Sequence, residues 1–238
     1  MSLIASIPAD WKTKIKNENN VLEIKNKLLF KLKISKQKNK LLYNFQFKDE
    51  YDIAIPSRVK WLEEFENDNI EWKDIFTLYI SATLDVKLRN FQYKYLFRIT
   101  PTNKRLFKQK IVNSNLCDFC NMYIESLKHL FWECNHTQIF WNNLVQFLKG
   151  CNININLNFK TISFGLNEYN SLDNDMYNFI ILHAKYFIFI NKCLKIIPSC
   201  ENFKKYLKSK IEIEKEISLM NDQLQKYERK WRNFVVYL

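Results

Sequence analysis

Glycine is almost missing from this chain, which has two glycines and four prolines in 238 residues. A loop that cradles nucleotide phosphates needs closely spaced glycines so that the backbone can approach the anion, and no such loop exists here. The shortage of both turn formers also argues against a sandwich or barrel of many short strands. Long apolar runs are missing as well. The longest, residues 179–190, contains His183 and Lys185 and is shorter than the ~20 residues a bilayer requires. Near the start, Trp11, Lys12 and Lys14 interrupt any stretch that would serve as a secretory signal. The expectation is an intracellular protein, nuclear or cytoplasmic, with no membrane partner and with reduced thiols.

Apolar residues make up 47% of the chain and aromatics 16%, enough for a large core. The formal net charge is +12. A cation excess of this size attracts polyanions, of which nucleic acid is the usual one. The lysines come with many asparagines and isoleucines, as an AT-rich coding sequence would also give, so charge alone does not fix a partner.

Cys117, Cys120, His129 and Cys134 form a Cys-x2-Cys-x8-His-x4-Cys pattern. Half of the six cysteines and one of three histidines fall in this window, whereas clustered cysteines in a reducing compartment favour a metal over a disulfide. Three thiolates and an imidazole can close a tetrahedron around zinc with no position left for water, which makes the site structural. His136 competes as fourth ligand, but the chain would have to double back after Cys134. The closed set would carry one net negative charge, which Lys128 and the knuckle's backbone amides are placed to soften.

The pattern around this site is helical. Apolar spacing predicts helices starting at Pro56-Ser57 (Trp61, Leu62, Phe65), near Glu71 (Trp72, Ile75, Phe76, Tyr79), near Thr83 (Leu84, Leu88, Phe91, Tyr95) and over residues 103–112. A short helix begun around Glu125 would carry His129. Thr137 would cap the next helix, Asn152 to Phe159 alternates as an extended segment, and an apolar helix would run from Asp173 or Asn174 to Leu194. Ser199 would cap a last helix reaching Trp231, where Ile213, Ile217, Met220, Leu224, Tyr227 and Trp231 form a heptad-like stripe. The fold class is therefore mainly α: a basic segment over 1–56 with a short β element near 28–34, helices plus a CCHC zinc knuckle over 57–150, and a carboxy-terminal helical bundle over 151–238.

Together these residues resemble a known family. Leu96-Phe97-Arg98-Ile99-Thr100-Pro101-Thr102-Asn103 leads to the Cys117-Cys120 pair, then Glu125, His129-Leu130-Phe131, Cys134 and Phe140-Trp141. This resembles the zinc-binding region carboxy-terminal to the reverse transcriptase of non-LTR (LINE-type) retrotransposons. Lys87-Leu88-Arg89 with Phe91-Gln92, Asn191-Lys192, Ile213-Glu214-Lys215 and Lys230-Trp231 extend the likeness. Ser126 stands where the family often has Thr. The resemblance implies zinc on the four ligands and a grip on element RNA or target DNA. The paired Asp-Asp of a polymerase site is absent from this sequence.

The leading expectation is thus a zinc-ordered nucleic-acid-binding module and not an enzyme. Lys87, Arg89, Lys94, Arg98, Lys104, Arg105 and Lys108 are its candidate phosphate contacts. Phe119 is either a stacking surface for an unpaired base or packing over the zinc. A second reading is a protein-interaction module that self-associates through the last helix. A nuclease is the third. Its best carboxylates, Glu168, Asp173 and Asp175, are as well explained by capping.

Overall fold

A computed structural model describes residues 55–66, 70–167, 171–232 and 234. The β element expected near 28–34, and the lysines around it, lie outside these residues. The described elements are α1 (Pro56–Glu64), α2 (Trp72–Ala82), α3 (Val86–Leu96), α4 (Asn103–Lys108), a π-helical turn (His129–Glu133), α5 (Asn135–Gly150), α6 (Phe159–Phe164), α7 (Ser171–Leu194), α8 (Cys200–Met220) and α9 (Leu224–Trp231). The mainly helical expectation holds. Among the described residues the only β pairing is one antiparallel bridge, Leu116 with Ile124.

Local chemistry starts several of these helices, although α5 begins at Asn135 and not at the Thr137 cap expected, and α6 was not expected at all. Pro56 opens α1, a position where its missing N–H costs nothing. Asp85 caps α3 by accepting from the Lys87 amide at 2.8 Å. Asn158 and Thr161 form a reciprocal capping box on α6. Between α5 and α6, Ile153 and Ile155 are buried while Asn152, Asn154, Asn156 and Asn158 face solvent, as the alternation predicted.

Helix ends show how the chain manages with so little glycine. Helix α3 and α4, and likewise α5, α7 and α8, are followed by a left-handed residue: Arg98, Lys110, Asn152, Lys195 and Asp222, with φ from 54 to 59°. In each case the next amide reaches back five residues, for example Ile99 to Lys94 at 2.8 Å and Gln223 to Ser218 at 2.8 Å. This is the Schellman closure that glycine usually provides. Only Gly165 (φ 87°) has no substitute, because a Cβ there would lie 2.6 Å from Asn178 Oδ1. That side chain is fixed by both backbone groups of Leu166.

Residues Pro56–Leu238 form one compact unit. The boundary expected at 150/151 falls inside it, where the core runs on through Cys151, Ile153 and Ile155. Helix α7 packs against α2, α3, α6, α8 and α9. Trp61 anchors an aromatic cluster with Phe65, Tyr95, Phe159 and Phe164, and its indole donates to Leu96 O at 2.8 Å. Burying side chains of this size stabilises by roughly 2–3 kcal/mol each. No helix among the described residues is long and apolar enough to cross a membrane.

The last helix differs from expectation. It breaks at Asn221–Gln223, and α9 turns back so that Lys230 Nζ and Trp231 Nε1 both donate to the Glu214 carboxylate, at 2.7 and 2.9 Å. Lys230 also reaches Ala82 O at the end of α2. The heptad-like stripe is therefore not one face: Met220 is exposed, while Tyr227 and Trp231 are buried. Asp222 in a left-handed turn is the cause, since Asp tolerates that geometry and ends the helix.

Among the buried polar side chains of α7, Lys185 and His183 lie in the middle of its apolar face. Lys185 donates to Gln92 Oε1 at 2.6 Å and lies over the rings of Tyr79 and Tyr95. Burial holds its pKa well below the usual lysine range. His183 sits against Phe179 and within 3.0 Å of the Tyr206 hydroxyl. Burial, with smaller contributions from Lys210 and Lys230, pushes His183 down to about 3. The unfolded chain takes up this proton near pH 6.5 and the folded chain refuses it, so stability is complete above 6.5 and is lost as pH falls toward 3. Between pH 7 and pH 5 the protein is expected to lose about 2 kcal/mol more than His183→Gln, read by urea unfolding. Acid release of any metal that the chain holds would be common to both proteins and cancel. Equal losses would refute the assignment.

Candidate metal centre

The ligand loop begins where α4 ends. The Leu116–Ile124 bridge pairs its two arms, with Cys117 N donating to Tyr123 O and Glu125 N to Asn115 O, both at 2.9 Å. At the tip Asn121 takes φ 54°, and its amide closes the turn on Cys117 O. Asparagine suits this left-handed position. The amides of Phe119 and Cys120 point at Cys117 Sγ.

The second pair of ligands comes from the π turn. Ser126 Oγ accepts from the His129 amide at 2.9 Å, so the helix starts after Ser126 and not at Glu125 as expected. Cys134 N then bonds His129 O at 2.8 Å, a five-residue step that leaves both side chains able to face one point. Carbonyls of that turn are held from outside, Leu130 O by the Thr137 hydroxyl and Phe131 O by the Trp141 indole. Trp141 thus packs behind the knuckle. Phe140 instead stacks toward Phe187 and Phe203.

The four ligand atoms of Cys117, Cys120, His129 and Cys134 all lie within 4.8 Å of one another. Cys117 and Cys134 sulfurs are 3.9 Å apart, and Cys120 Sγ is 3.4 Å from His129 Nε2. A tetrahedral zinc with the usual bond lengths requires S···S of about 3.8 Å and S···N of about 3.6 Å. The residues fit that ion. His136 is not part of the cluster. The hydrogen bond from Cys117, with the amides of His136 and Thr137, lowers the Cys134 thiol, while the same bond and burial raise Cys117. A divalent cation held by this set would favour both as thiolates. Lys128 does not soften the charge as expected, because it pairs with Glu133 at 3.2 Å.

Behind the knuckle lies a residue whose role the sequence did not reveal. Glu125 is fully buried. Its carboxylate accepts from the Asn103 amide at 2.7 Å and the Asp118 amide at 3.2 Å, and Lys192 Nζ from the end of α7 lies 3.5 Å away. Burial raises the Glu125 pKa, while Asn103, Lys192 and Asp118 N–H oppose the rise. Lys192 also reaches Pro101 O and lies 3.7 Å from Asp118. This bracket joins α4, the knuckle and α7. The sequence signals were its place in the motif and a charged residue standing between apolar Ile124 and Leu127, and neither told its role.

The candidate phosphate contacts divide into two groups. Lys87, Lys94, Lys104 and Lys108 are exposed. Arg89 is committed to the carbonyls of Thr83 and Ile80, where it caps the end of α2. Arg98 pairs with Glu64 and stacks on Trp61. Arg105 lies within 3.4 Å of Arg98 O. Phe119 is buried in the core at 4% exposure, so it packs inside the knuckle and offers no base a surface.

Residues 45–141 match the family described as zinc-binding in reverse transcriptase, a span that contains all four ligands. The resemblance read from the motifs is thereby shown for this segment. No curated protein matches the chain.

Proposed function

We propose that the protein is a zinc-ordered nucleic-acid-binding module, which holds RNA or DNA for a reverse transcriptase of the non-LTR retrotransposon kind. The observation that carries this reading is the closed Cys117, Cys120, His129 and Cys134 set joined directly to a helix whose exposed face is cationic. A closed set supplies no open coordination position, so zinc here fixes the fold and the surface around it does the binding. The +12 charge supports a polyanion as partner. The exposed lysines Lys87, Lys94, Lys104 and Lys108 are the phosphate contacts in this reading, with the arginines serving the scaffold.

Fluorescence anisotropy of labelled RNA and DNA against salt tests it. Binding is expected to weaken with a log-log slope of several units, each neutralised phosphate contributing about 0.7–0.9. Replacing Lys104 and Lys108 together by Gln reduces that slope by about 1.5. An affinity unchanged between low and moderate salt would remove the proposal.

A further inference from the structure

Building on that reading, we infer that the outer face where α4 meets the knuckle is a stacking platform for unpaired bases of a single-stranded nucleic acid. Tyr123 and Phe107 form it, and Lys104 and Lys108 flank it. Phe119 is the knuckle's inner aromatic and is consumed by packing. The outer rings are not: Tyr123 is 62% exposed and Phe107 47%. An exposed ring in water gains little from being there, and the core accounts for neither of these.

The placement is fixed from both sides. The Tyr123 ring lies 5.7 Å from the ring of the ligand His129, and its carbonyl takes the Cys117 amide. Two residues on, Glu125 O accepts from Lys104 N at 3.2 Å, which seats α4 along this arm of the knuckle. On α4, Lys104, Phe107 and Lys108 follow i, i+3, i+4 spacing and share one exposed face. Among the described residues, neither lysine has an acidic partner.

Charge selects the occupant. Over residues 101–124 the cations are Lys104, Arg105, Lys108 and Lys110, against Asp118 alone. The Asp118 carboxylate is already taken by Asn103 Nδ2 and approached by Lys192. An apolar protein surface would not be drawn to such a rim, whereas a polyanion with exposed π faces satisfies ring and rim together. A duplex hides its bases, so it can use the lysines but not the rings.

The test compares short oligouridylate, oligothymidylate and a duplex of the same length. Tyr123→Ala and Phe107→Ala are each expected to weaken both single strands about tenfold, with duplex binding, salt slope and zinc content unchanged. Tyr123→Trp restores the affinity. If the wild-type protein binds the single strands and the alanine variants bind them equally well, the platform is wrong while the nucleic-acid reading stands. Equal weakening on the duplex also overturns it. If the wild type binds none of the three at low salt, both fall.

Discussion

Protein purified without chelator is expected to contain one zinc per chain, and Cys120→Ser is expected to abolish it. Cys120 is the only half-buried ligand, so the substitution tests the metal with the least disturbance to packing. Zinc contributes on the order of 10 kcal/mol to the folding of small zinc peptides. Here the knuckle is seated on a body with its own core, and part of that energy is spent ordering residues 109–134. The expected loss of about 3–5 kcal/mol on chelation or on Cys120→Ser lowers the thermal midpoint by roughly 6–20 °C. The buried sulfurs of Cys117 and Cys134 would then be left 3.9 Å apart with no cation between them. Metal-free fresh protein, or a midpoint indifferent to chelator, would contradict the assignment.

Glu125→Ala is expected to cost about 3–5 kcal/mol, more than a surface ion pair such as Lys204–Glu201 contributes, about 0–1 kcal/mol. The substitution strands two amide donors, those of Asn103 and Asp118, and leaves the buried Lys192 ammonium with only Asp118 at 3.7 Å and Pro101 O. It also frees the loop next to Cys117, so zinc affinity is expected to fall with stability. Lys192→Met leaves the carboxylate buried with only its amide partners. The double variant is expected to be less damaged than the two single losses added together, because each single change removes the closest countercharge of the other group. Additive losses in a double-mutant cycle, with zinc affinity unmoved in both variants, would show that the bracket is not a unit.

Much of this was legible in the sequence because it rested on local rules. The ligand spacing identified the metal set, and apolar periodicity located α1 to α3 and α7. The alternation at 152–158 gave an extended segment with asparagines outside. What was not legible depended on distant contacts or on single backbone angles. Phe119 looked the same whether inside or outside, and only the approach of the core decided it. Arg89 and Arg98 read as free cations, yet Arg89 holds the carbonyls that end α2 and Arg98 a carboxylate 34 residues away. The heptad-like stripe predicted one long helix, and a left-handed Asp222 cut it in two. Glu125 broke the rule that lone acids stay in water, and its three partners come from separate elements.

The ammonium of Lys230 holds the carbonyl of Ala82 across 148 residues, whereas the two buried ligand sulfurs are 17 residues apart. A ribosome delivers the chain in order, so the metal loop is complete and able to capture its ion while α7, α8 and α9 are still to be made. The ligand set is thus local in the chain, while the Lys192 brace that holds it from behind is synthesised later.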